Sequence, residues 1–175
     1  SCDLIIEAII ENKEIKQDIF KKIEDICDDV VIASNTSSIS ISALANGLKR
    51  PKNMIGLHFF NPAPIMKLVE VISGLQSDQQ IIEDVHTLVS SWGKRAVYVK
   101  SSPGFIVNRI ARPFYAEALR LYEEDVSNFS TIDEIIKSNG KFRMGPFELM
   151  DLIGNDTNYS VTESTFNSYY QDSRF

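Results

Sequence analysis

The sequence has few cysteines, no concentration of basic residues and no long apolar run. Among its 175 residues are two cysteines, Cys2 and Cys27, whose spacing fits no metal-binding motif, so we expect no metal site and a reducing, cytoplasmic setting. Lysine and arginine are dispersed and the net charge is −6, which argues against a nucleic-acid or membrane-surface partner. No apolar stretch reaches membrane-spanning length. The remaining composition is that of an ordinary globular protein.

The first hundred residues alternate apolar runs with amphipathic stretches. The runs that we predict to be strands cover residues 3–10, 30–33, 54–58, 67–72 and 95–99. Such alternation predicts a doubly wound α/β sheet, whose ligands bind outside the carboxyl ends of the strands. Glu11, residues 34–38 and His58 all fall at those ends.

The pattern changes after Val99. Residues 100–104, KSSPG, predict a linker, and no convincing strand follows them. Helices are predicted over residues 105–122, despite Pro113, around 132–138, within 144–154 and over 157–170. We therefore predict an α/β domain over residues 1–100 and an all-α domain over residues 101–175.

The most unusual chemistry lies in residues 54–72, MIGLHFFNPAPIMKLVEVI. Pro62 and Pro64 force a turn between two strands. His58 ends the first strand, and Glu70 lies in the second among apolar neighbours, where a carboxylate needs a hydrogen-bonded partner. The two side chains predict a general acid/base in which the carboxylate orients the imidazole. The alternative is a structural histidine and a solvent-facing glutamate at a sheet edge.

A second polar run, SNTSS at residues 34–38, follows the second strand with a dense set of hydroxyl and amide groups. Taken alone, a run of this kind is most often a turn and a helix cap.

Five motifs together point to a known family. They are IIEAIIENKEIK, ASNTSSISI, GLHFFNPAPIMKLVEVI, SSPGFIVNRI and RMGPFELMDLIG. In this order the chain resembles the NAD-dependent L-3-hydroxyacyl-CoA dehydrogenases, including the 3-hydroxybutyryl-CoA dehydrogenases. The resemblance implies a partial Rossmann-like NAD-binding domain followed by a helical substrate and dimerisation domain. It also implies reversible oxidation of 3-hydroxyacyl-CoA to 3-ketoacyl-CoA and a homodimer formed through the helical domain.

The resemblance assigns roles to eight residues. His58 becomes the catalytic base and Glu70 its partner. The four residues assigned to the reaction, two of them binding the reacting end of the acyl-CoA, are His58, Glu70, Ser37 and Asn108. The four assigned to the nicotinamide half of the cofactor are Glu11, Lys16, Asn35 and Asn61.

One family feature is absent from the sequence, the glycine-rich turn that binds the pyrophosphate of a dinucleotide. Because the chain also begins without Met and inside an apolar strand, we expect the first βαβ unit to lie outside this sequence. We expect the edge of the 3–10 strand to be covered by another chain, by crystal packing or by residues before Ser1. We expect the 175 residues alone to have weak catalysis or none. Two alternatives stay open: a related dehydrogenase acting on another hydroxy acid, and a non-catalytic structural or oligomerisation module of a fatty-acid oxidation protein.

Overall fold

A computed structural model describes residues 2–175, which form two compact units, one ending at Phe105 and the other running from Ile106 to Phe175. The strands of the first unit are β1 (Leu4–Glu7), β2 (Val31–Ser34), β3 (Met54–Phe59), β4 (Leu68–Ser73) and β5 (Arg95–Lys100). Its α-helices are α1 (Lys13–Ile26), α2 (Ile41–Ala45) and α3 (Gln79–Ser91), with one 3-10 turn at Pro51–Asn53. The helices of the second unit are α4 (Val107–Glu123), α5 (Phe129–Ser138), α6 (Pro146–Ile153) and α7 (Asn155–Ser168).

The five strands form one sheet in the order β1-β2-β3-β4-β5, which confirms the predicted α/β architecture. All neighbouring pairs are parallel except β3 and β4, which are antiparallel. The cause is the short connection over residues 60–67, because a parallel pair needs a crossover of roughly a dozen residues or more. The antiparallel register places His58 directly opposite Glu70.

Strand β1 is shorter than the predicted run of residues 3–10 and ends at Glu7. The backbone N–H of Ile9 donates to the Glu7 side chain rather than to a neighbouring strand, so the sheet pairing stops there. Within residues 2–175, β1 pairs only with β2. The cover that we predicted for this edge is therefore not supplied by the described part of the chain, and Ile6 and Ile10 are exposed.

Helix α1 begins where Asn12 accepts a hydrogen bond from the N–H of Ile15, at 3.0 Å. The helical spacing of Ile15, Ile19, Phe20, Ile23 and Ile26 predicts its apolar face. Phe20 is buried and Ile23 packs against the core, as this spacing predicts, but Ile26 is exposed. The side chains it buries are Lys16, Phe20 and Glu24, whereas Ile15 is exposed. The helix therefore brings two charged groups into the interior of the first unit.

Apolar side chains cover both faces of the sheet, as expected for a sheet with helices on either side. One cluster includes Phe20 of α1 and Leu44 of α2, and the other includes Val85 and Val89 of α3. Helix α2 is short, but its residue Leu44 is completely buried.

The second unit is helical in every described element, as predicted. Helix α4 begins at Val107 rather than at residue 105, because Phe105 has a φ of 47°, outside the helical range. The helix continues through Pro113. Buried Asp133 of α5 accepts hydrogen bonds from the N–H groups of Phe147 and Glu148 and so caps α6. No helix in the described range is long and apolar enough to cross a membrane.

The first prediction concerns the core of the first unit. Leu44 is 0% exposed and Leu75 is 93% exposed. Leu44→Ala should lower the free energy of unfolding by about 2–5 kcal/mol, because it leaves a cavity. Leu75→Ala removes the same atoms from a solvated position and should change it by less than about 0.5 kcal/mol. Urea unfolding of both variants is the measurement, and equal effects would contradict the packing described here.

Candidate active site

The centre of the site is a hydrogen bond between His58 of β3 and Glu70 of β4. His58 Nδ1 lies 2.7 Å from Glu70 Oε2. The two residues are 4% and 0% exposed. An ionised carboxylate only accepts hydrogen bonds, so Nδ1 carries the hydrogen and Nε2 is the nitrogen that remains for a substrate. This geometry is that of an imidazole base held by a carboxylate.

Aromatic rings surround the imidazole. The ring of Phe60 is centred 4.6 Å from that of His58, and the ring of Phe105 is centred 5.7 Å away. Apolar neighbours exclude water and strengthen the hydrogen bond to Glu70. Asn35 Oδ1 accepts from the N–H of Phe59 at 2.8 Å, which ties the end of β2 to the end of β3 beside His58.

A second polar cluster lies at the carboxyl ends of β1 and β2. Lys16 Nζ donates to Glu7 Oε1 at 2.8 Å and to the carbonyl of Ile9 at 3.2 Å. Ser34 Oγ donates to Glu7 Oε2 at 2.7 Å. Glu7 was assigned no role by the sequence analysis, although an ionisable residue in an otherwise apolar strand was the signal that could have identified it.

Glu11 connects this cluster to the loop of residues 34–38. Its Oε1 accepts from Thr36 Oγ1 at 2.6 Å and from the N–H groups of Ser37 and Ser38 at 2.9 and 3.0 Å. Its Oε2 lies 3.5 Å from Lys16 Nζ. Burial is the largest single influence and raises the pKa of Glu11, but the hydrogen bonds and the Lys16 charge outweigh it, so the pKa is lowered overall. Thr36, completely buried, is a second residue that the sequence analysis missed.

The remaining two candidate residues lie elsewhere. Asn61 is exposed at the start of the 60–67 connection. Lys94 holds that connection by donating to the carbonyls of Ala63 and Met66. Asn108 is half-buried in the first turn of α4, in the second unit, where its carbonyl accepts from Arg112 Nε at 3.2 Å.

The structure thus brings the candidate residues of the first unit, except Asn61, into two adjoining groups. One group is the pair His58 and Glu70, and the other comprises Glu11, Lys16 and the loop that carries Ser37. Asn35 joins them through its hydrogen bond to β3. Over residues 2–175 no group of three or more histidine, cysteine, aspartate or glutamate side chains is arranged to hold a metal ion.

A mostly parallel sheet with polar groups at the carboxyl ends of its strands is typical of dinucleotide-binding α/β proteins. Family models agree with this class. The model described as "3-hydroxyacyl-CoA dehydrogenase, NAD binding domain" matches residues 1–102. The model described as "3-hydroxyacyl-CoA dehydrogenase, C-terminal domain" matches residues 104–175.

Individual relatives agree with the family models. A 3-hydroxyadipyl-CoA dehydrogenase of Escherichia coli (strain K12) is 49% identical over 176 residues, covering 100% of this chain and 37% of the relative. A 3-hydroxybutyryl-CoA dehydrogenase of Clostridioides difficile is 44% identical over 168 residues, covering 95% of this chain and 60% of the relative. The crystal structure of a 3-hydroxybutyryl-CoA dehydrogenase from Escherichia coli K12 matches with a TM-score of 0.97 at 48% identity, over 99% of this chain and 37% of that one.

The chain belongs to the 3-hydroxyacyl-CoA dehydrogenase family. This confirms the family that the five sequence motifs indicate. The chain spans 37% and 60% of the lengths of the two relatives named above.

The second prediction uses the lowered pKa of Glu11. A carboxyl whose pKa is lower in the folded than in the unfolded protein stabilises the fold above its unfolded pKa, about 4.3. That stabilisation is lost as the pH falls through the folded pKa. The stability gap between wild type and Glu11→Gln should therefore be widest above about pH 5.5 and close toward pH 3.

Urea unfolding over a pH series measures this gap. Glu14→Gln, at an exposed position in the first turn of α1, is the matched control and should change stability by less than about 0.5 kcal/mol. A gap that stays constant or widens as the pH falls would contradict the arrangement around Glu11.

Proposed function

We propose that the protein containing this chain oxidises L-3-hydroxyacyl-CoA to 3-ketoacyl-CoA, reversibly, with NAD as cofactor. The observation that carries the proposal is the buried hydrogen bond between His58 and Glu70, 2.7 Å long, in a chain of the 3-hydroxyacyl-CoA dehydrogenase family. Named relatives act on 3-hydroxyadipyl-CoA and 3-hydroxybutyryl-CoA, which supports a 3-hydroxyacyl thioester as substrate.

His58 is the general base in this proposal. Oxidation of a secondary alcohol removes a proton from oxygen, so a base must lie within hydrogen-bond reach of the hydroxyl. Nε2 of His58 takes that proton, because Nδ1 is already bonded to Glu70. The imidazolium that forms is stabilised by the Glu70 carboxylate. In the reverse direction the same nitrogen returns the proton to the 3-oxygen.

Ser37 and Asn108 bind the reacting end of the substrate. Both are neutral hydrogen-bonding residues, suited to the 3-oxygen and the thioester carbonyl. The Ser37 backbone is held by Glu11, which limits the positions open to its side chain. Fixed donors of this kind stabilise developing charge without reorganising during the reaction.

The chain's residues fit a nicotinamide group. A carboxamide needs both hydrogen-bond donors and acceptors. The polar groups that follow β1 and β2 supply the Glu11 carboxylate, the Lys16 ammonium and the Asn35 amide. Glu11, Lys16, Asn35 and Asn61 would hold this half of the cofactor. When NAD is bound, the chemistry it supplies is acceptance of the hydride from the carbinol carbon.

The helical second unit is proposed to form the contact between two copies in a homodimer. Among residues 2–175, twelve of the 23 exposed large hydrophobic side chains lie between Ile106 and Phe175, a range that holds under half of those residues. Leu152 and Tyr159, for example, are exposed on α6 and α7. These side chains supply the apolar surface that a second copy would bury in the proposed dimer.

We also propose a cytoplasmic setting, in line with two cysteines that form no disulfide, Cys2 exposed and Cys27 half-buried.

The third prediction tests the base. The chain has two histidines, so His86 offers a matched control; it stacks on Tyr98 with ring centres 4.1 Å apart and has no part in the site. In the full-length protein, His58→Gln should lower kcat for acetoacetyl-CoA reduction by about 10²–10⁴, the usual contribution of a general acid or base. His86→Gln should leave kcat within twofold.

The assay is the loss of NADH absorbance, with circular dichroism to verify folding. Full activity in a folded His58→Gln variant would remove the proposed mechanism. Turnover of a free hydroxy acid without turnover of any acyl-CoA would favour the related-dehydrogenase alternative. Absence of all turnover together with absence of NADH binding would favour the structural module.

The fourth prediction tests the dimer. Sedimentation equilibrium of the full-length protein should give twice the mass of one chain. Leu152→Glu places a charge on the apolar surface of the second unit and should raise the dimer dissociation constant at least tenfold, because a charge buried without a partner is costly. Leu75→Glu, the same change at an exposed site of the first unit, should leave it unchanged. A monomeric wild-type protein would contradict the proposal.

A further inference from the structure

We propose that Glu7 is a positioning residue of the active site, which holds Lys16 and Ser34 and thereby fixes Glu11 and the loop that carries Ser37. The inference rests on the function proposed above and adds to it a residue that has no assigned role in catalysis or cofactor binding. The hydrogen-bond partners of the Glu7 carboxylate are Lys16, Ser34 and the N–H of Ile9, so its effect on the site must pass through these groups.

Glu7 occupies the position from which two strand ends can be joined. It is the last residue of β1 and lies opposite Ser34, the last residue of β2, in the parallel register. Its side chain is 2% exposed. The carboxylate accepts from Lys16 Nζ, Ser34 Oγ and the N–H of Ile9, so the hydrogen-bonding demand of a buried charge is met by three donors.

Lys16 stands between two carboxylates. Its side chain is 1% exposed, and its Nζ lies 2.8 Å from Glu7 Oε1 and 3.5 Å from Glu11 Oε2. The three groups carry one positive and two negative charges. Because the shorter, fully buried contact with Glu7 neutralises the ammonium, the Glu11 carboxylate remains available to other donors.

Those other donors are the groups of the 34–38 loop. Glu11 Oε1 accepts from Thr36 Oγ1 and from the N–H groups of Ser37 and Ser38. An unbroken series of polar contacts therefore runs from Glu7 through Lys16 and Glu11 to the backbone of Ser37. Ser37 is the residue proposed to bind the reacting end of the substrate.

Removing the charge of Glu7 changes the partners of Lys16. A buried ammonium without its carboxylate is strongly unfavourable, so Lys16 must draw Glu11 closer, the other carboxylate that residues 2–175 place within ion-pair distance of it. Glu11 then leaves the N–H groups of Ser37 and Ser38, and the loop loosens. The predicted loosening is confined to residues 34–38, whereas a general loss of stability would affect the whole first unit.

Glu24 provides the matched control. It is also a buried carboxylate of the first unit, 5% exposed, and it accepts from the N–H groups of Lys49 and Arg50 at 2.7 and 2.8 Å. Its carboxylate contacts Lys49 and Arg50 rather than Glu7, Lys16 or the 34–38 loop. Glu24→Gln therefore removes an equivalent charge from the interior without touching the proposed series of contacts.

The experiment is amide hydrogen exchange of the full-length protein, detected by NMR, in wild type, Glu7→Gln and Glu24→Gln. Exchange of the Ser37 and Ser38 amides should accelerate at least tenfold in Glu7→Gln and stay within threefold of wild type in Glu24→Gln. In the same proteins, kcat/KM for acetoacetyl-CoA should fall at least tenfold in Glu7→Gln and less than twofold in Glu24→Gln.

A second substitution tests the route through Lys16. In Glu7→Gln/Lys16→Met no ammonium competes for Glu11, so exchange of the Ser37 and Ser38 amides should return to within threefold of wild type. If Glu7→Gln does not fold, Glu7→Asp, which keeps the charge but shortens its reach, should accelerate the same two amides severalfold.

Unchanged exchange at these amides in Glu7→Gln, equal acceleration in Glu24→Gln, or no return in the double variant would each overturn the inference. Failure of the wild-type protein to turn over acyl-CoA would overturn the proposed function instead. The exchange rates would still decide the role of Glu7 in that case, because they need no turnover.

Discussion

The structure of the first unit depends on a carboxylate that its sheet buries completely, Glu70. A charge in that position requires a partner, and the antiparallel pairing of β3 with β4 supplies one by setting His58 directly opposite. The hydrogen bond to His58 offsets the cost of burying the Glu70 carboxylate. It also fixes the orientation of the imidazole, so that Nε2 is the nitrogen left for a substrate. One hydrogen bond therefore contributes both to the stability of the strand pair and to the proposed chemistry. The antiparallel pairing that allows it is imposed by the short 60–67 connection.

Glu7, on β1, is a second buried carboxylate whose charge requires a partner. It is the last residue of β1, and its partner is a buried ammonium rather than an imidazole. Buried ion pairs contribute little net stability, and apolar replacements are often equally stable. Their use here is to fix orientation: Lys16 is held in place, Glu11 is left to bind the 34–38 loop, and Asn35 in that loop accepts from β3 next to His58. Glu7 on β1 and Glu70 on β4 thus each hold a side chain of the proposed site in position.

Much of this arrangement was readable from the sequence. Alternating apolar and amphipathic runs gave the strands and helices, and Glu70 stood out because a charge between valines demands a partner. The motif set indicated the family. The end of β1 was not predictable, because it depends on the contact between Ile9 N–H and the Glu7 side chain. The burial of Lys16 on α1 was not predictable for a related reason. Its partner Glu7 lies on another element, and the apolar spacing of the helix, which correctly places Phe20 in the core, carries no information about that partner. Thr36 was overlooked because a buried hydroxyl in a polar run looks like any other turn residue.

The central claim is that Glu70 fixes the tautomer of His58. The direct measurement is a ¹⁵N NMR spectrum of the two imidazole nitrogens of His58 in the full-length protein, at a pH where the ring is neutral. The account predicts a protonated Nδ1, hydrogen-bonded to Glu70, and an unprotonated Nε2. A ring protonated on Nε2 and bare on Nδ1 would contradict it, because no nitrogen would then be both positioned and free to take the proton of the substrate hydroxyl.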